Sequence, residues 1–260
     1  MNTNTWSGNP ADLAAAYAHH STTLRGALRH ALVTRALLSH LPHGSCSVLD
    51  IGGGTGEQAI ALARAGHTVT VLDPDPAMVD QARDRASDEP EETVARITLT
   101  VGPGELALDL VGDGYDAVLC HGVLMYVDDP EPLLQTLVAA AAPGGVVSVL
   151  AKSDEVLAFR PALEGRWADA LAMLDTNIET GNFGVTSRGV DRDDVTARLS
   201  DLGAATLAWY GVRTFTDHLG NAPVPPDFDQ ILELEWRAGA RDPYRQISRL
   251  WHLIARKAPA

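Results

Sequence analysis

Cysteine is scarce: the 260 residues hold two, Cys46 and Cys120, each within an apolar, strand-like run. Two such thiols make neither a disulfide framework nor a metal-ligand spacing, so we read them as buried filler and expect no metal. No apolar run is long enough to suggest a membrane span, and the polar opening MNTNTWSGNP is not a signal peptide. These absences suggest a cytoplasmic protein without a membrane partner. Basic residues are also few: 20 Lys and Arg stand against 34 Asp and Glu, a formal net charge of −14. That balance argues against a broad electrostatic grip on nucleic acid, because phosphate contacts need clustered cations. A local basic groove is still allowed. Internal repeats and low-complexity tracts are missing as well, and we read residues 1–260 as one α/β domain.

The informative stretch is SCSVLDIGGGTGEQAIALARAGHTVTVLDPDPAMVDQA, residues 45–82. A strand run, 47–51, meets Gly52, Gly53 and Gly54, then Thr55 and Gly56. A helix pattern follows over 57–65, Gly66 stops it, and a second strand, 68–72, closes on Asp73. Strand, glycine loop, helix, strand, acid is the first half of a nucleotide-binding βαβ unit. The glycines let a ligand approach bare backbone. An acid at the second strand tip can accept hydrogen bonds from both hydroxyls of a ribose. A dinucleotide fingerprint reads G-x-G-x-x-G, whereas Glu57 stands where that pattern wants a small residue. An acid there would repel a pyrophosphate but not a ligand carrying an ammonium and a sulfonium.

The motif D-x-G-x-G-x-G from Asp50, with the acid closing the next strand, resembles the seven-strand S-adenosylmethionine-dependent methyltransferases. That likeness implies a Rossmann-like, mostly parallel seven-stranded sheet with helices on both faces, and S-adenosylmethionine as cofactor with S-adenosylhomocysteine as product.

The remaining chain agrees in order. Residues 10–41 carry leucines at helical spacing and end at Pro42, which suggests a helical lid over residues 1–44. Arg29 sits among its apolar positions and is a candidate for the methionine carboxylate of the cofactor. A helix from Pro74 to about Ala86, a third strand at 96–101 and the turn Gly102-Pro103-Gly104 follow. Here Leu106 is a candidate to cover the adenine, with backbone groups or Glu105 reading its amino edge. The fourth strand, 115–120, runs into His121 and Gly122; a helix extends from 129 to 142, and Pro143-Gly144-Gly145 turns into a fifth strand at 146–151. Ligands in open parallel sheets bind outside the C-terminal strand ends, which places His121 and Tyr126 near the cofactor or acceptor. Tyr17, Asp50, Gly54, Pro74 and Met78 complete the candidate cofactor set. The cofactor-binding core is thus 45–151.

Residues 152–203 break the alternation, with an amphipathic stretch at 157–174, a polar loop at 175–189 and a helix at 191–202. We expect them to form a cap over the acceptor. Residues 204–260 supply strands at 206–214 and 249–257 around a proline-rich loop and an acidic helix at 228–240. Trp167, Phe183, Trp236 and Tyr126 are candidate apolar walls. Arg160, Arg213, Arg245 and Arg249 are candidate carboxylate clamps, since a guanidinium binds a carboxylate in a two-point fork.

The segments VLCHGVLMYVDDP, APGGVVSVL, YGVRTFTDH and ILELEWRAGARDPYRQISRLWHLIARK resemble the bacterial family that esterifies the carboxyl of 5-carboxymethoxyuridine in tRNA. The likeness implies cofactor contacts at Arg29, Gly52, Gly53, Asp73 and His121, and near Gly104. It also makes tRNA a possible partner. Against that, the cap stretch ETGNFGVTSR has a single arginine where the family carries a basic run. The sequence therefore favours a small-molecule acceptor, methylated on O or N, with a carboxylate among the candidates. tRNA methylation and non-catalytic cofactor binding are the alternatives, and a nicotinamide dehydrogenase is a distant one. His121 and Tyr126 are the candidate catalytic groups for an acceptor that needs a base.

Overall fold

Short β-branched runs alternate with amphipathic helices, so each strand must bury both faces and each helix one. The computed structural model, which describes residues 20–180 and 185–260, shows how they do so. A seven-stranded sheet has the order β3-β2-β1-β4-β5-β9-β8. Its strands are β1 (Ser47–Ile51), β2 (Thr68–Asp73), β3 (Ile97–Val101), β4 (Tyr115–His121), β5 (Ala141–Lys152), β8 (Ala204–Val212) and β9 (Leu250–Lys257). β1 to β5 pair in parallel, and β9 runs antiparallel to both β5 and β8. The order reverses between β1 and β4, which opens a crevice at their C-terminal ends.

Alternate strand residues feed two core layers. Val48, Val69, Val71, Leu119 and Ile254 pack under helix α1 (Leu24–His40) and helix α2 (Glu57–Arg64). Leu49, Ile51, Val118, Val149 and Leu253 pack on the opposite face. Helix α3 (Pro76–Ser87) starts at the Asp75 cap, whose Oδ1 accepts from Ala77 N at 2.9 Å. Short helices α4 (Glu91–Val94) and α5 (Ala107–Val111) flank β3. Helix α6 (Glu131–Ala140) buries Leu133, Leu134 and Leu137 on the second layer. Cys46 and Cys120 are both buried, free thiols. No helix among the described residues is long and apolar enough to cross a membrane.

Four expectations need correction. First, the expected helical lid is also a core helix: α1 lines the crevice with Arg25, Arg29, His30 and Val33 and packs its leucines on the sheet. Leu28 and Leu37 are fully buried, and each contributes about 1.5–3 kcal/mol by leaving water. Residues 10–19 of the expected helix lie outside the described residues. Second, the stretch 157–174 is two helices, α7 (Phe159–Leu163) and α8 (Trp167–Ala172), split where Gly165 adopts φ +73°. Third, the polar loop contains a hairpin of β6 (Ile178–Thr180) and β7 (Thr186–Arg188). Fourth, α9 (Arg192–Asp201) buries Val195 and Leu199 in the sheet core, so it is a crossover helix and not part of a cap. The turn at Pro143-Gly144-Gly145 lies inside β5. The register jumps from Tyr115 opposite Ala141 to Ala117 opposite Val146, so the extra residues bulge out.

Candidate active site

The crevice is a cavity of about 550 Å³ that runs from the glycine loop to the far side of β5. At the glycine end the backbone is built for close approach. Gly52, Gly54 and Gly56 have φ of +71°, +54° and +79°. A Cβ on Gly52 would lie 2.3 Å from Val123 Cγ2, and one on Gly53 would lie 2.9 Å from Asp50 Oδ2. Gly104 is equally closed to a side chain, with Ile51 at 2.5 Å. Asp73 ties the loop to β2: Oδ2 accepts from Gly54 N at 2.9 Å and Oδ1 from Asp75 N at 3.0 Å. Each oxygen keeps a second lone pair for a ligand. Asp50 is 1% exposed and its Oδ2 has no hydrogen-bond partner. Burial, and then the Asp73 charge, push its carboxyl up to about 7. Arg29 reaches in from α1 and its Nη2 donates to the His121 carbonyl at 3.1 Å.

The other end is basic, against the sign of the whole chain. Arg25, Lys152, Arg160, Arg213 and Arg249 line it. They arrive from α1, the end of β5, α7, the residue after β8 and the residue before β9. Asp217 sits among four of them: Arg213 Nε at 3.3 Å, Arg25 Nε at 3.7 Å, Arg249 Nε at 3.8 Å and Arg160 Nε at 3.9 Å. Lys152 Nζ contacts Glu179 Oε1 at 2.6 Å, and Arg249 pairs with the same carboxylate. Arg160 also pairs with Glu164 at 2.7 Å. Burial, with the neighbouring cations, lowers the Arg213 guanidinium to about 9. Burial works to raise the Asp217 carboxyl, but Arg213, Arg249, Arg25 and Arg160 outweigh it and hold it below its ordinary range.

Arg213 is the one non-glycine among the described residues with positive φ, +63°. That conformation is costly for a long side chain. The turn after it is held by Glu235, which is 0% exposed on helix α10 (Phe228–Gly239). Its carboxylate accepts from Thr214 N, Phe215 N, Thr216 N and Thr216 Oγ1 at 2.7–3.1 Å.

The cavity gathers most of the expected residues: Arg29, Asp50, Gly52, Gly53, Gly54, Asp73, Pro74, Met78, Gly104, Glu105, His121, Gly122, Tyr126, Arg160, Arg213 and Arg249. Four do not belong to its wall. Leu106 is 49% exposed, turned out by the 3-10 turn Gly104–Leu106. Trp167 is 67% exposed at the start of α8. Trp236 stacks on Tyr210 at 5.2 Å with Arg35 over its other side, because the apolar stripe of α10 serves α1 and β8. Helix 228–240 is therefore no cavity wall. Arg245 lies over Trp209 and pairs with Asp242. Tyr17 and Phe183 lie outside the described residues.

His121 lines the cavity, yet its ring is engaged within the sheet. Its Nε2 lies 2.9 Å from Ser148 Oγ, which lies 2.7 Å from His252 Nε2. One hydroxyl hydrogen serves two rings, so one imidazole donates and the other accepts. Burial, then His252, hold His121 well below its ordinary range, which makes it a weak base. Sequence reasoning passed over Arg25, Lys152, Glu179 and Asp217. Arg25 has the same signal as Arg29, a cation among apolar helix positions; the others give none locally.

The chain is similar to known proteins. A methyltransferase-domain family model matches residues 49–147. The chain is 29% identical over 253 residues to a tRNA 5-carboxymethoxyuridine methyltransferase of Escherichia coli O157:H7, covering 90% of each. It is 32% identical over 125 residues to a ubiquinone biosynthesis O-methyltransferase of Methylobacterium nodulans, covering 48% of each. The structure superposes with TM-score 0.60 and 17% identity on magnesium protoporphyrin IX methyltransferase from Synechocystis, solved with bound S-adenosylhomocysteine. The match covers 90% of this chain and 86% of that one. Residues 49–147 thus carry a methyltransferase domain, and the strand order, glycine loop and strand-tip acid are those of a class I S-adenosylmethionine-dependent methyltransferase.

Proposed function

We propose that the enzyme methylates a carboxylate of a small-molecule acceptor, giving a methyl ester. The observation that carries this reading is the buried cation group at one end of the cavity, in a chain of net charge −14. S-adenosylmethionine supplies an activated sulfonium methyl, so an ionised carboxylate takes it without a base and S-adenosylhomocysteine leaves. The weak basicity of His121 suits such an acceptor. Asp73 holds the ribose hydroxyls, Gly52 to Gly54 pass close to the ligand, and Pro103 to Glu105 meet the adenine. Arg29 takes the methionine carboxylate, and the unpartnered Asp50 Oδ2 takes the ammonium.

The Asp50 assignment makes cofactor binding depend on pH. A carboxyl raised to about 7 is protonated below that pH and pairs with an ammonium only when ionised. S-adenosylhomocysteine affinity should rise about tenfold between pH 6 and 8, with a proton released on binding. Calorimetry in buffers of different ionisation enthalpy measures both quantities. Asp50→Asn should flatten the profile; a flat profile in the native protein removes the assignment.

The acceptor is tested by incubating the protein with methyl-labelled cofactor and either fractionated extract or bulk tRNA. We expect label in the low-molecular-weight fraction, released as methanol by mild alkali. Alkali-stable label ends the carboxylate reading. A second reading, a tRNA acceptor, is favoured by the named relative that spans 90% of each chain. Against it, Arg188 is the sole cation among the described hairpin residues and already pairs with Asp128. Label on tRNA that falls steeply with salt would establish that second reading.

A further inference from the structure

We propose that the acceptor carries two negative charges: the carboxylate that is methylated and a second anion, carboxylate or phosphate, held at the same end of the cavity. This rests on the carboxylate reading above and extends it. Five cations, Arg25, Lys152, Arg160, Arg213 and Arg249, meet three acids there, Asp217, Glu179 and Glu164. Five less three leaves a surplus of two. Arg29 is not in this count, since the cofactor's own carboxylate balances it.

A surplus of buried cations is costly unless a ligand completes it. The hydrogen bonds say the same. Arg25 Nε and Nη1, Arg213 Nε and Arg249 Nη1 are buried without a hydrogen-bond partner. Buried donors are normally satisfied, so several together mark a place for acceptor oxygens. Asp217 does not use them up. It lies 3.3–3.9 Å from four guanidiniums, and neither of its oxygens makes a hydrogen bond. It thus offsets one charge of the group without saturating the guanidiniums, and Arg25, Arg160, Arg213 and Arg249 all line the cavity around it. The left-handed backbone at Arg213, held in place through Glu235, keeps one of them aimed there at a cost.

One consequence concerns turnover. Esterification removes one of the two charges that the cations bind, so the product is held less well than the acceptor.

The test uses the intact protein saturated with S-adenosylhomocysteine, and three probes at fixed ionic strength: butyrate, succinate and 3-phosphonopropionate. Calorimetry should show both probes that carry two anionic groups binding at least about tenfold tighter than butyrate. The tighter of the two identifies the second anion. Arg213→Gln and Arg160→Gln should each close most of that gap while S-adenosylhomocysteine affinity, which also reports folding, stays unchanged. Arg245→Gln, outside the cavity, should leave the gap intact. Three probes within threefold of one another, no binding of any at millimolar concentration, or a gap that survives both cavity variants overturns the proposal. Alkali-stable label in the transfer assay would remove the ester while leaving a measured two-charge preference standing. Loss of that preference would leave an observed ester untouched.

Discussion

Asp73→Ala is expected to weaken S-adenosylmethionine binding by about 2–4 kcal/mol, roughly 30- to 1000-fold. Two losses combine. The ribose loses a charged acceptor for its hydroxyls, and Gly54 N and Asp75 N lose the oxygens that hold the glycine loop against β2. Asp73→Asn separates the terms. One amide oxygen can keep one backbone tie while the charge is gone, so its affinity should fall between those of alanine and native protein. Calorimetry with S-adenosylhomocysteine measures the change, and a thermal melt confirms folding. A folded alanine variant with native affinity would take Asp73 out of the ribose site.

The second large effect is expected at a residue that never meets a ligand. Glu235→Gln keeps the shape of a fully buried side chain but gives it a donor where it had an acceptor. Thr214 N, 2.7 Å from Glu235 Oε2, would then face an N–H group. Leaving such a pair unsatisfied costs about 1–3 kcal/mol, so the melting temperature should drop by several degrees. The more telling readout is functional. The turn at 214–216 fixes the direction of Arg213, so acceptor KM should rise while cofactor affinity holds. Equal loss of cofactor and acceptor binding would mark Glu235 as a general fold residue instead.

The cofactor end was legible because its signals are local. Asp50, the three glycines and Asp73 fall within 24 residues, and each answers a nearby backbone demand: a positive φ, a close approach, a strand tip. The sheet was legible for a similar reason, since β-branched runs separated by helical patterns leave few topologies. The basic end was not. Arg25 and Arg249 are 224 positions apart, and Asp217 is a single acid in a loop. Three of the four proposed clamps line the cavity while Arg245 does not, because nothing in a sequence separates a guanidinium aimed inward from one lying on Trp209. Aromatic residues misled for a related reason. Trp236 is amphipathic and helical, yet the surface it covers is the flank of α1, a partner set by three-dimensional packing.

The reversed strand β9 has a consequence for how the enzyme is made. Because β9 enters between β5 and β8 from the opposite direction, its first residues lie at the ligand edge of the sheet. Leu250, next to Arg249, pairs with Lys152 on one side and Val212 on the other. On the ribosome, β1 to β5 and the glycine loop emerge about a hundred residues before β9 does. All the residues of the cofactor half are thus synthesised early, but a domain folds as a unit, and Leu250 and Ile254 of β9 belong to the same core cluster as α1 and β1. The basic end must wait, with its cations dispersed in water, until β9 slots in between β5 and β8. Folding and acceptor-site assembly are therefore completed by the same strand, the last of the sheet to leave the ribosome.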